Sequence, residues 1–327
     1  MYRMPPEWAP HAATWISWPH NPKTWPEGLE AAEAALAEGV KALAAGERVH
    51  INTHQPARLA AFFEAEIRAG RVVLEPVLTN DAWIRDHGAI VVADEAGERV
   101  ALDFRFNAWG GKYPPYDLDD AVPRHMAARL GLRRVAVDMV LEGGSIDVNG
   151  AGRLLTTEQC LLNANRNPAM TRGDIEAVLG RYLGARQVIW LGEGIAGDDT
   201  DGHVDDIARF VAEDTVLATV EEDPVDGNYR ALRDNLDRLQ GEGGLKVVAL
   251  PMPEPLHRGG ERLPASYANF YIGNEVVLLP TFGCPRDAEA ARILARCFPG
   301  RRVVPIDSRA LVVGLGALHC LTQQVPA

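Results

Sequence analysis

Amphipathic helical segments begin near Leu118, Thr171, Asp226 and Arg286, a spacing of roughly 55–60 residues. Regular periods of this size mark repeat architectures, in which each supersecondary unit buries its apolar face against the next. Between the helices lie apolar β-branched segments, read as pairs: 135–140 with 153–156, 187–191 with 206–218, and 246–250 with 269–280. Upstream the pattern gives a helix over 27–46, a strand at 48–52, a second helix at 56–69 and an apolar segment at 72–78. A hairpin follows, joining 89–92 to 100–106 across Glu95-Ala96-Gly97. Residues 5–26, with Trp8, Trp15, Trp18, Trp25 and several prolines, read as irregular structure. The repeating unit is strand, strand, helix, strand, about five times. No linker or composition break interrupts it, so residues 1–327 are expected to form one α/β domain closed by repetition.

The 327 residues are 47% hydrophobic and 24% charged, enough to bury a large core and too apolar for a disordered chain. A net charge of −12 argues against a nucleic-acid surface, which needs a basic face. No apolar run approaches membrane-spanning length, and no leader pattern opens the chain. The four cysteines (160, 284, 297, 320) have no paired spacing, so free thiols in the cytoplasm are expected. Self-association stays open, with the Trp-rich stretch suited to an interface or a pocket rim.

Four short stretches set ionisable groups against apolar segments: Asn80 to Gly88, Leu141 to Ser145, Gly197 to Asp206, and Gly316 to Gln324. Asp86 and Glu142 are 56 residues apart, Glu142 and His203 are 61 apart, and His203 and Cys320 are 117 apart, close to twice the period. In a propeller, equivalent positions of successive units converge near the axis. Each residue alone has an ordinary structural reading as a turn acid, a hydrogen-bonded histidine or a small buried thiol. Their shared period favours one site. Cys320 ends an apolar run, 310–318, read as a buried strand, with Gly314 and Gly316 permitting close backbone approach. The acidic run at 198–206 fails the calcium-loop pattern, and no second cluster has zinc-ligand spacing, so no metal is expected. Nucleotide-binding and serine-hydrolase motifs are absent.

A thiol, an imidazole and several carboxylates are poor equipment for acyl transfer, where negative charge develops on oxygen. They suit a planar cation, whose N–H edges match paired carboxylates. The expected chemistry is attack of Cys320 on a guanidinium carbon. Asp86 and Asp205 would hold the guanidinium, and His203 would protonate the leaving nitrogen and later activate water. Glu142 would hydrogen-bond the imidazole, and cationic neighbours would lower the Cys320 pKa. Trp83, Trp109 and Asp199 are candidates for contacts to the rest of the substrate.

Trp83-Ile84-Arg85-Asp86-His87-Gly88, Glu142-Gly143-Gly144-Ser145, Asp198 through Asp205, Ser266 through Tyr271 and His319 through Gln324 together resemble the agmatine deiminase family, the branch that also holds bacterial peptidyl-arginine deiminases. The resemblance runs from Glu7-Trp8 to the C-terminus. It implies the pentein fold, a five-bladed α/β propeller of ββαβ units, and hydrolysis of agmatine to N-carbamoylputrescine and ammonia. It implies Cys320 as nucleophile, His203 as acid and base, Asp86 and Asp205 as guanidinium ligands and Glu142 as partner of the histidine. No cofactor is implied. Ala89 stands where the family commonly has proline, and Leu315 and Ala317 replace residues of a glycine-rich ending, which bears on the exact substrate. Two alternatives remain open: deimination of peptidyl arginine or another alkylguanidine, and a non-catalytic protein that binds cationic amines.

Overall fold

The computed structural model describes residues 2–26 and 28–327. Strand β1 (His11–Ser17) is followed by helix α1 (Leu29–Leu43), and β2 (Arg48–Asn52) then lies parallel to β1. Strand β3 (Val72–Glu75) adds parallel to β2. Four continuous modules follow. In the first, β4 (Ile90–Ala93) and β5 (Arg99–Arg105) form an antiparallel pair, and α2 (Val122–Leu130) carries the chain over to β6 (Arg133–Val140), parallel to β5.

The same order recurs with β7 (Asp147–Val148), β8 (Arg153–Thr157), α3 (Arg172–Leu183) and β9 (Gln187–Leu191). It recurs again with β10 (Ala208–Ala212), β11 (Thr215–Val220), α4 (Tyr229–Gly241) and β12 (Lys246–Pro251). A small hairpin, β13 (His257–Arg258) and β14 (Glu261–Arg262), precedes the last continuous module. That module comprises β15 (Tyr271–Ile272), β16 (Val276–Thr281), α5 (Arg286–Cys297) and β17 (Arg302–Asp307). Finally β18 (Gln323–Pro326) returns to pair antiparallel with β1, giving the order β18-β1-β2-β3. The first sheet is therefore built from both ends of the chain.

The crossover helices explain a correction. Segments 135–140 and 153–156, read as partners, belong to neighbouring sheets: β6 pairs with β5, and β8 pairs with β9. A parallel pair needs a long crossover, so a module's helix joins strands of one sheet and the loop after it leads to the next. Likewise 187–191 and 246–250 do not pair with the segments that follow them. Segments 206–218 and 269–280 are hairpins, β10/β11 and β15/β16. The expected 56–69 helix is two short ones, Pro56–Ala60 and Glu64–Arg68. The hairpin across Glu95-Ala96-Gly97 is present as β4/β5.

Helix ends follow local chemistry. Thr171 and Asp174 form a reciprocal capping box at the start of α3, and Gly184 closes its end at φ +78°. The N-terminal stretch was read as irregular but contains β1, because Ala13, Trp15 and Ser17 bury one face while Thr14 and Ile16 bury the other. Trp15, Trp18 and Trp25 are all buried, so they serve the core and not an outer interface. The Trp15 indole donates to Asn52 Oδ1 (2.9 Å) and that of Trp18 to Glu33 Oε1 (2.8 Å). Burying side chains of this size contributes about 1.5–3 kcal/mol each. Among the described residues, no helix is long and apolar enough to cross a membrane.

Candidate active site

Each of the five mixed sheets is preceded by a short turn just before its antiparallel outer strand. Asp86 lies in the turn Ile84–His87 before β4, and Glu142 and Gly144 lie at the turn before β7. His203 and Asp205 flank the turn before β10, and Asn269 ends the turn before β15. Cys320 occupies the turn before β18. The run 310–318 is accordingly not a strand. It forms a single helical turn, Leu311–Gly314, after which Leu315 adopts φ +71°, which no strand tolerates.

These turns come together. The Cys320 Sγ lies 3.7 Å from Asp205 Oδ2 and accepts from Asn269 Nδ2 at 3.1 Å. Asp86 receives the Gly144 amide on Oδ1 and the Trp109 indole on Oδ2, both at 2.9 Å. Its Oδ1 stands 3.7 Å from His203 Nδ1. Gly144 is the point of closest approach. A Cβ placed on it would lie 2.6 Å from His203 Nδ1, 2.9 Å from Asp86 Oδ1 and 3.0 Å from Asp205 Oδ2. The residue is glycine because three functional side chains crowd its Cα.

Asp205 is held differently from Asp86. Its Oδ2 meets His319 Nδ1 at 2.7 Å, and His319 Nε2 meets Glu7 Oε2 at 2.8 Å. Glu7 also pairs with buried Arg209 at 2.9 Å and with Arg85 at 3.3 Å. The Asp205 Oδ1 atom has no hydrogen-bond partner among the described residues. The acids before it shape the loop: Asp198 accepts from the amides of Thr200, Gly202 and His203, and Asp201 pairs with Arg166 at 2.5 Å.

Glu142 does not make the expected hydrogen bond to His203. Its Oε1 accepts from Arg166 Nε at 2.7 Å and its Oε2 has no hydrogen-bond partner, while the His203 ring meets the Cys160 thiol instead. Arg166 arrives on the loop after Leu161 and takes the carboxylate edge.

Electrostatics correct a second expectation. Burial, then Asp205, Asp206 and Asp86, push the Cys320 thiol well above the ordinary range, against a smaller lowering by Asn269. None of these influences is cationic, so the thiol form of Cys320 is favoured over the thiolate. Burial opposes charge on His203, but Asp86, Cys160 and Asp205 outweigh it and raise its pKa well above the usual imidazole value. Burial raises the Asp86 pKa against the opposing pull of His203. Burial would raise the Asp205 pKa, but His319, His203 and Arg209 together lower it.

A cavity of about 560 Å³ opens onto this floor and is lined by Asp86 and Cys320 together with Trp83, Trp109, Asp199 and Leu315. His203, Asp205 and Glu142 lie behind, almost wholly buried. Gly316 lets the Cys320 turn pack on Trp83, since a Cβ there would meet the indole at 2.5 Å. Trp83 in turn packs on Trp25, with ring centroids 5.3 Å apart.

Asn269 and His319 stand in motif stretches of the sequence without a role of their own, and Glu7 and Arg166 carry none there either. Asn269 had a legible signal. The 117-residue gap from His203 to Cys320 is two periods, and Asn269, 66 residues beyond His203, fills the vacant place.

Comparison with known proteins gives a consistent result. Residues 3–326 match the Porphyromonas-type peptidyl-arginine deiminase family. An agmatine deiminase of Ectopseudomonas mendocina is 40% identical over 357 residues, covering 100% of this chain and 96% of that protein. A Cys-to-Ser form of C. jejuni agmatine deiminase with substrate bound superposes with TM-score 0.92 at 34% identity, covering 100% and 97% of the two chains. DDAH from Pseudomonas aeruginosa, complexed with citrulline, shares the fold at TM-score 0.52 and 15% identity, covering 96% and 99% of the two chains.

Proposed function

This chain belongs to the Porphyromonas-type peptidyl-arginine deiminase family, and from that premise we propose that it is an agmatine deiminase working as one domain, a closed five-bladed pentein propeller. The reaction is hydrolysis of agmatine to N-carbamoylputrescine and ammonia. The carrying observation is that Asp86, Asp205 and His203 meet around Gly144, with Cys320 beside Asp205, and that Asp86 and Cys320 open onto one cavity. The agmatine deiminases of E. mendocina and C. jejuni support the substrate.

Asp86 and the free Oδ1 of Asp205 receive the guanidinium N–H groups. The arriving cation offsets the acids that hold Cys320 as a thiol, and the thiol proton leaves through the open cavity. The sulfur attacks the guanidinium carbon, His203 protonates the leaving nitrogen, and ammonia departs from an amidino-thioether on Cys320. His203, now neutral, takes a proton from water. The hydroxide attacks the same carbon, the C–S bond breaks to release N-carbamoylputrescine, and the sulfur takes up the proton that the collapsing adduct loses, restoring the thiol. Trp83 and Trp109 line the alkyl chain, and Asp199 lies in the same wall for the terminal amine. Agmatine has no carboxylate, so the site needs no arginine clamp for one.

A cavity of about 560 Å³ suits a small guanidine better than a peptide. The four unpaired cysteines fit a cytoplasmic setting. Ammonia release from agmatine, free arginine and a peptidyl arginine, measured side by side, tests the substrate. Agmatine should give the highest kcat/KM, and a better peptide would transfer the proposal to the runner-up. An amidino adduct on Cys320, seen by mass spectrometry of a quenched turnover, tests the chemistry and excludes a silent amine-binding protein.

A further inference from the structure

Behind the cavity, Cys160 plays no part in the chemistry above, yet its thiol is wholly buried beside His203 and Glu142. Cys160 lies on the short helix Glu158–Leu161, where its amide is held by Thr157 Oγ1 at 3.1 Å. One donor atom from each of Glu142, Cys160 and His203 falls within 4.8 Å of the others. The second observation is independent of that spacing. Glu142 Oε2 has no hydrogen-bond partner although the residue is 0% exposed, and the buried His203 ring meets the Cys160 thiol and, at 3.7 Å, Asp86. A buried carboxylate oxygen left bare costs about 1–3 kcal/mol, so its convergence with the thiol and the imidazole marks a place for an occupant.

We propose that Glu142, Cys160 and His203 form a site for a thiophilic divalent cation of the zinc class, and that occupancy silences the enzyme. Thiolate, imidazole and carboxylate are the zinc donor set, with bonds of roughly 2.0–2.3 Å. Drawing the donors onto one ion takes side-chain movements of about an ångström, judged from those bond lengths. The thiolate and the carboxylate together balance a divalent charge, and Arg166 fixes the other Glu142 oxygen at 2.7 Å, orienting the free one. A cation here occupies the imidazole lone pair that the reaction uses for proton transfer. This consequence rests on the role given above to His203; binding itself does not.

Cadmium titration of the full-length protein, followed by its thiolate charge-transfer absorption, tests the site in a Cys284→Ser/Cys297→Ser background that removes the two half-buried thiols. The Cys320→Ser form should keep a band that saturates at one equivalent, and Cys160→Ser and Cys160→Ala should both lose it. A band that survives in both Cys160 variants and vanishes in Cys320→Ser overturns the proposal in favour of capture by the nucleophile. No band in Cys320→Ser reduces Cys160 to packing. Zinc inhibition, scaled to each variant's own metal-free rate, should weaken about 10–100-fold in Cys160→Ser, the range expected for loss of a metal-site group. One-equivalent binding without inhibition would leave the site standing and remove His203 from proton transfer.

Discussion

Among the described residues, four of the five mixed sheets are built from continuous stretches of chain, whereas the first joins residues 11–75 to 323–326. The continuous modules supply Asp86, the Glu142–Gly144 turn, His203 with Asp205, and Asn269. The closing module supplies the thiol. A continuous module fixes its turn largely by its own hairpin, but the Cys320 turn depends on β18 finding β1 some 300 residues away in sequence. The protein compensates by tying that turn to other modules. The Arg85 amide donates to Cys320 O at 3.2 Å, Asn269 Oδ1 accepts from the His319 amide at 2.9 Å, and Arg85 Nη1 reaches Gln324 Oε1 in β18 at 2.6 Å. Cys320 is thus placed by interactions among modules, as are Asp86 and Asp205, whose hydrogen bonds run to Gly144 and His319, whereas Glu142 is held by Arg166 of its own module.

Removing each contribution sharpens this contrast. Cys320→Ser should abolish turnover by on the order of 10⁴-fold or more while retaining agmatine binding by calorimetry, because the four continuous modules still hold the guanidinium. Loss of binding would mean that the thiol organises the clamp. His203→Gln should lower kcat by about 10²–10⁴-fold, with the Cys320 adduct failing to form or to clear in a quenched turnover. Gly144→Ala, which drives a methyl group among three functional side chains, should cost on the order of 10²-fold with secondary structure intact by circular dichroism.

Val325→Ala in β18 and Val216→Ala in β11 remove equivalent, fully buried methyl groups. Each should destabilise by about 1–2 kcal/mol in chemical denaturation. Only Val325→Ala should also lower kcat, by several-fold, because it loosens the closing sheet. Equal effects on kcat would break the comparison.

The smallest effect concerns pH. Burial and the carboxylates raise the Cys320 pKa, so the thiolate fraction falls at neutral pH and grows as pH rises. Alkylation by iodoacetamide should therefore have its midpoint above the ordinary free-cysteine range. A midpoint below it would show a preformed thiolate.

The 55–60-residue period was legible because each module buries one apolar helix face and one hairpin, and that pattern is local. The same period placed Asp86, Glu142 and His203 at comparable points, and its doubled last interval marked the position now seen to hold Asn269. Strand partnership was not legible, since a crossover helix joins strands of the same sheet and an apolar segment does not state which neighbour it will pair with. The run 310–318 looked like a strand by hydropathy alone; Leu315 at φ +71° makes it a turn.

By itself, then, the sequence determined the repeat, the chemical kinds of the reactive groups and the family. Tertiary structure decided their pairings. Glu142 turns to Arg166, His319 links Asp205 to Glu7, and three carboxylates close enough to raise a thiol's pKa come from two different modules. Hydropathy and spacing are properties of a chain segment, whereas a hydrogen-bond partner or a local field depends on distances that exist only once the modules have closed.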